Sequence, residues 1–334
     1  MNSALLGLAL LLSIAVGSVF IPPTALAGLL FERLPGIRMA GEWPEAFSVI
    51  LFRIRLPHTA LVTITGAALA GSGAAYQGLF RNPLADPYLI GVASGAGLGA
   101  VLAMASPLSA RWLGLFTVPA AAFLGALMTV GIVYSLARTA GQVPTTTLIL
   151  AGVAVGSFAS ALTSFLMLRS QGELRRSLAW LLGGFSIGGW EPVLAALPYI
   201  LLGLLVLVFS GHALNVMQFG DDQASQLGLS VDRTRLILIA AASLATAAAV
   251  SFSGIIGFIG LIVPHLVRLL WGPDYRRLIP LSILGGATAL LLADLLARIV
   301  MAPEELPVGV LTALAGAPFF LWVLRRSRGA QLGY

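Results

Sequence analysis

The sequence predicts an all-α polytopic membrane protein with about ten transmembrane helices, and three observations predict it. Hydrophobic residues make up 58% of the 334-residue chain, and the mean hydropathy is +0.98. Charged residues make up only 10%, against about 25% in soluble domains, too few to coat a water-facing globule of this size. The apolar runs approach the roughly 20 residues that a helix needs to cross a bilayer, and none alternates like a barrel strand.

Taken in order, the first apolar stretch begins at Ala4 without a basic leader and reads as a first span, 4–21, rather than a cleaved peptide. Residues 22–57 read as a long connection, opening with Pro22-Pro23 and closing with Phe52-Arg53-Ile54-Arg55-Leu56-Pro57. Spans then follow at 59–80, 88–105, 116–137 and 147–168. The first of these is the richest in small residues, Gly66-Ala67-Ala68-Leu69-Ala70-Gly71-Ser72-Gly73. Such residues let backbones approach closely, which drives helix association in lipid, and some of them are candidates to line a lumen. Between 169 and 192 the charges of Arg169, Glu173, Arg175 and Arg176 precede Trp180 and Trp190. This predicts a short interfacial helix with both tryptophans at headgroup depth.

After a span at 193–210, Asp221-Asp222-Gln223-Ala224-Ser225-Gln226-Leu227-Gly228-Leu229 predicts a short helix outside the membrane. Its acidic residues complement the helix dipole and its glycine suits the exit. Spans at 235–253, 256–271, 278–297 and 307–324 complete a single domain over 1–334. Ten spans put both termini on one face, which receives ten arginines against nine on the other. That ratio settles no orientation, although Arg325-Arg326-Ser327-Arg328 favours a cytoplasmic C-terminus.

The composition excludes several chemistries. All nineteen basic residues are arginine, and lysine and cysteine are absent. A P-loop needs its lysine on the phosphates, so the chain carries no ATP site of that kind. Thiolate metal sites need cysteine, and His58, His212 and His265 are too scattered for a local ligand set. The net charge of +6 sits mainly in short gaps between spans, where it meets headgroups or docked partners rather than nucleic acid.

Few residues remain for chemistry. Asp294 is the one ionisable group clearly inside a span, and Arg298 shares its helix face four residues on. The pair reads either as a structural ion pair or as an arginine offered to an outer partner. Gln77-Gly78-Leu79-Phe80-Arg81-Asn82-Pro83-Leu84-Ala85-Asp86-Pro87 and Gly141-Gln142-Val143-Pro144-Thr145-Thr146-Thr147 are two polar breaks on one face. Pro264-His265 closes the eighth span, as a loop contact or as a ligand. An ion-coupled secondary transporter would need intramembrane carboxylates at mid-depth, and an embedded enzyme a nucleophile–base set.

The chain resembles the FecCD-type permeases of type II ATP-binding-cassette importers for iron–siderophores, haem and cobalamin. Arg55-Leu56-Pro57, Arg81-Asn82-Pro83-Leu84-Ala85-Asp86-Pro87 and Gln226-Leu227-Gly228 carry the likeness, with Gly257-Phe258-Ile259-Gly260-Leu261-Ile262-Val263-Pro264-His265 and Glu305-Leu306-Pro307-Val308-Gly309 its strongest parts. The resemblance implies a homodimer in a bacterial inner membrane, with the path between the two copies. It also implies two separate ATPase chains, which hold ATP and Mg, and a substrate-binding protein outside; this chain itself would hold no cofactor or metal. By the same resemblance Asp221, Asp222, Gln226, Leu227 and Gly228 couple to the ATPase. Asn82, Leu84, Thr145 and Thr146 match a cytoplasmic gate. Arg55 and Arg298, with Arg53 and His58 nearby, dock the binding protein. His58 departs from the family's usual Arg-Leu-Pro-Arg and could make docking pH-sensitive. The expected cargo is an iron–siderophore or haem, with cobalamin as the alternative.

Overall fold

The computed structural model describes residues 2–17, 19, 21–31, 43–106, 114–139, 143–185, 188–302, 304 and 306–331. Gly141, Gln142 and Glu305, quoted above in two motifs, lie outside the described residues. The helices in chain order are α1 (Asn2–Ala15), α2 (Pro23–Phe31), α3 (Glu45–Val49), α4 (Leu56–Leu79), α5 (Val92–Ala105), α6 (Thr117–Ala137), α7 (Thr145–Arg169) and α8 (Leu174–Leu181). They continue as α9 (Glu191–Phe209), α10 (Gly211–Met217), α11 (Asp221–Gln226), α12 (Val231–Ser253), α13 (Ile259–Trp271), α14 (Tyr275–Val300) and α15 (Val308–Gln331). Among the described residues, six helical segments are long and apolar enough to cross a membrane, and Ser3–Ala15, Val92–Ala105, Ile259–Trp271 and Val308–Val323 are shorter apolar helices. The all-α polytopic class is the one the composition predicts.

Helix α4 is the axis of the bundle. It is buried from Thr65 to Leu79 and packs against α14, α12, α13 and α9. Its glycines explain how. A Cβ on Gly66 would run into the Gly286 carbonyl of α14, and one on Gly73 into the Gly260 backbone of α13. Polar side chains tie the same helix sideways. Ser72 donates to the Ala242 carbonyl at 3.1 Å, and the Tyr76 and Ser243 hydroxyls meet at 2.8 Å. Gln77 donates to the Leu261 carbonyl at 3.2 Å and accepts from Arg268 at 2.9 Å. Ser72, Tyr76 and Gln77 thus each find a partner on another helix, as lipid favours, whereas the buried Thr65 hydroxyl has none among the described residues.

Two expectations are corrected. The segment 22–57 is not a plain connection: α3 passes through a π-helical turn, Ile50–Arg55, straight into α4, giving one helical run of Glu45–Leu79. Pro57 signals a break in the sequence, but it falls at the start of α4, just past the wide turn, where its missing N–H is tolerated. Trp180 also does not offer its ring to the headgroups; it is 1% exposed. Helix α8 is amphipathic as expected, yet its Ser177–Trp180 face turns inward, and the Trp180 carbonyl meets the backbone at Gly254. Trp190 is exposed and donates to the Phe52 carbonyl at 3.2 Å.

Between α12 and α13 the chain unwinds over Gly254–Phe258, with Gly254 and Phe258 both at positive φ. At the start of α14, Asp274 accepts from the Arg276 backbone and side chain and from Asn215 of α10. These bonds hold its carboxyl well below the usual carboxylate range.

Candidate functional site

One end of the bundle gathers the short helix and both polar breaks. Helix α11 opens at Gly220 with Asp221 and Asp222 in its first turn. It closes in a Schellman motif: Gly228 donates to the Ser225 carbonyl at 2.9 Å and Leu229 to that of Ala224 at 3.0 Å. Gly228 has φ +88°, which a side chain would resist. The helix is pinned at Ala224, fully buried, while Leu227 stands 67% exposed. Leu227 therefore contributes nothing to the core of this chain.

The first polar break is built by the same device. Arg81 donates to the Gly78 carbonyl at 3.2 Å and Asn82 to that of Gln77 at 3.1 Å, closing α4 in a second Schellman motif. Here the left-handed position is held by Arg81 itself, at φ +49°, where glycine would cost about 1–2 kcal/mol less. Strain of this kind persists where the side chain has a task. Beyond it, the Asn82 side chain accepts from the Leu84 amide at 2.9 Å, and that of Asp86 from the Tyr88 amide at 2.8 Å. Asn82 and Thr146 are exposed, Leu84 and Thr145 half-buried.

Asp221 joins these parts. One carboxylate oxygen takes Arg235 of α12 at 2.7 Å, and the other lies 3.5 Å from Arg81. Arg235 is 4% exposed and also lies 3.5 Å from Asp232. A cavity of about 680 Å³ beside them is lined by Asp221, Asp222 and Arg235 together with Val143 and Pro144. The second polar break therefore begins at the wall of the same cavity. Sequence reasoning grouped Asp221 with the exposed contact residues and missed its bonds. The signal was the unusual non-glycine Arg81 at a helix exit.

A second cavity, of about 840 Å³, lies against α7. Its lining combines the small or hydroxylic Gly91, Ser94, Gly152, Gly156, Ser157 and Ser160 with Asp86, Tyr88 and the apolar Leu89, Val153 and Leu261, and includes the unwound Gly257-Phe258. Among the described residues no three His, Asp or Glu come together as a metal site. His265 is half-buried on α13, edge-on to Phe319 with ring centres 6.3 Å apart, and its Nδ1 has no partner among the described residues.

The far end of the bundle carries the other predicted residues. Asp294 sits 2.9 Å from His58 Nε2, and Arg298 Nε lies 3.0 Å from its second oxygen without aiming the N–H along the contact. Arg298 donates to the Ser13 hydroxyl at 3.0 Å and reaches the Ser13 and Val16 carbonyls. Arg55 is 6% exposed and donates to the carbonyls of Ile14 at 2.8 Å, Ala15 at 3.1 Å, and Val19. Both arginines thus satisfy the orphan carbonyls at the end of α1, where the helix dipole favours positive charge. Only Arg53 of the four candidates is openly exposed. Arg55, His58 and Arg298 also line a cavity of about 330 Å³. No local pattern could have announced this cap, since Ser13 and Arg298 are 285 residues apart.

The sequence profile of the FecCD transport family matches residues 5–326. The cobalamin import system permease protein BtuC of Halobacterium salinarum is 50% identical over 84% of this chain and 75% of its own length. The hemin transport system permease protein HmuU of Yersinia pestis is 42% identical over 86% of this chain and 87% of its own. Among solved structures, an inward-facing metal-chelate-type ABC transporter superposes with a TM-score of 0.84 and 30% identity, covering 97% of each chain.

Proposed function

We propose, from the premise that this chain belongs to the FecCD transport family and is the permease of an ABC importer, that its cargo is a bulky metal chelate. An iron–siderophore or haem is the leading cargo, and cobalamin the second reading, favoured by the Halobacterium relative. The observation that carries the proposal is the 840 Å³ cavity along α7, of the size of a small-molecule site. Its glycines and serines offer room and weak hydrogen bonds, and the one carboxylate of its lining, Asp86, is already engaged with the Tyr88 amide, so a cargo held there is released as readily as it enters.

Helix α7 also supplies the argument for a homodimer. Its most apolar stretch is only 22% buried, and Phe158 and Leu168 are 71% and 78% exposed. A second copy against this face would enclose the cavity between two chains. Two ATPase chains, with their ATP and Mg, would meet α11, and Asn82, Leu84, Thr145 and Thr146 would gate the path beside it. A binding protein would dock at the opposite end, over Arg53 and the cavity of Arg55, His58 and Arg298, placing both termini of this chain in the cytoplasm.

Reconstitution with the cognate ATPase and binding protein, comparing haem, a ferric siderophore and cobalamin, tests the cargo. ATP-dependent accumulation of one of them is expected, with no ATP hydrolysis by this chain alone. Uptake driven by an ion gradient without the ATPase would refute the reading. Because Arg55 and Arg298 also cap α1, the docking reading is best tested at Arg53. Arg53→Glu should weaken the complex with the binding protein several-fold, most at low salt; unchanged affinity there would remove Arg53 from the interface.

A further inference from the structure

Apart from the α7 cavity, α6, α9 and α12 leave between them a groove of about 570 Å³. It is lined almost wholly by aliphatic carbons, and its Ser243 hydroxyl is already engaged with Tyr76. The groove exists because Gly131 puts no side chain into it, and a Cβ there would meet nothing within 4 Å.

Its depth is informative. On α6 the lining runs from Leu127 to Tyr134, and α6 ends at Ala137, so the groove reaches about 15 Å back from that end at 1.5 Å per residue. On α12 it runs from Leu236 to Leu244, roughly 7 to 20 Å from the start at Val231. A hydrocarbon core is about 30 Å thick, so the groove occupies one leaflet. That leaflet adjoins the face carrying α11, because Arg233 lines the α11 cavity. Just beyond the groove's mouth stand Arg138, following α6, and Arg233, on the first turn of α12. Both are exposed, and neither forms an ion pair among the described residues. Their neighbour Arg235 is the one engaged with Asp221 and Asp232.

An acyl-length apolar slot ending at two free guanidinium groups fits one class of molecule. We infer that this groove is a binding site for an anionic glycerophospholipid, one acyl chain lying over Gly131 and the phosphate meeting Arg138 and Arg233. The inference is independent of the cargo.

The test uses the full chain in bilayers of phosphatidylglycerol and phosphatidylcholine, transferred to mild detergent, with retained lipid counted by native mass spectrometry. The wild-type chain should retain phosphatidylglycerol in preference to phosphatidylcholine. Gly131→Leu puts a side chain into the slot, its Cβ meeting nothing within 4 Å, and should reduce retained lipid about tenfold at unchanged thermal stability. Ala240→Leu, on the exposed part of the α12 wall, should do the same and serves if the first variant does not fold. Arg138→Gln with Arg233→Gln should leave a lipid bound but erase the preference for the anionic one, at roughly fivefold per arginine. Equal retention by wild type and both filled variants overturns the site. So does a wild-type groove that retains no lipid, or filled variants that change only the oligomeric state, which would give the groove to a second copy.

Discussion

Leu227→Asp is expected to abolish ATP-driven uptake by preventing assembly with the ATPase, while the bundle keeps its helical content and melting temperature. Leu227 is 67% exposed, so no core packing is lost. A charge at a buried anchor of an interface costs about 2 kcal/mol or more, roughly 30-fold in affinity. Asp221→Asn should behave differently. Its side chain, although 44% exposed, is tied to Arg235 and Arg81 within this chain. The complex should form, ATP should be hydrolysed, and cargo moved per ATP should fall several-fold. Measuring hydrolysis and uptake on the same vesicles separates contact from transmission. Normal uptake in both variants would remove α11 from the coupling path.

Gly286→Val and Gly66→Val are expected to have the largest effect on folding. In each case the new side chain would meet a backbone carbonyl of the opposite helix, which cannot swing aside. Ordinary overpacking costs about 1–3 kcal/mol; separating α4 from α14 also strips the buried contacts along the crossing. Folded protein recovered from membranes should fall at least tenfold. Gly131→Ala, which meets nothing, should be recovered like the wild type. Equal recovery of all three would mean that the α4–α14 crossing does not limit stability.

The positions of the long helices were legible because lipid imposes a length on an apolar run, and that length does not depend on neighbours. Helix α11 was legible for a similar reason: acidic entry and glycine exit are local physics. What depended on distant residues was not legible. Pro57 reads as a break until the π-helical turn before it is seen to absorb the change. Trp180 reads as an interfacial anchor until its helix is packed. The unwound Gly254–Phe258 is as apolar as its flanks, so hydropathy passes over it. The arginines at 55 and 298 announced positive charge at one end, but not that they cap α1. The grouping of Asn82, Leu84, Thr145 and Thr146 as a gate and of 221–228 as a coupling segment came only through resemblance. The cavity that Asp221 and Pro144 share gives that grouping a physical basis.

The burial of α4 has a consequence for how the chain is made. Gln77 finds its partners on α13, 184 residues further along, and Gly66 meets α14 later still. During synthesis α4 therefore enters the bilayer long before the helices that enclose it. Until they arrive, its amide, hydroxyls and bare glycine backbone face lipid or whatever insertion factor shelters them. The most protected helix of the finished protein is the most exposed one of the nascent chain. A stall between residues 80 and 255 should leave α4 open to cross-linking by lipid-soluble probes, and completion of α14 should close it.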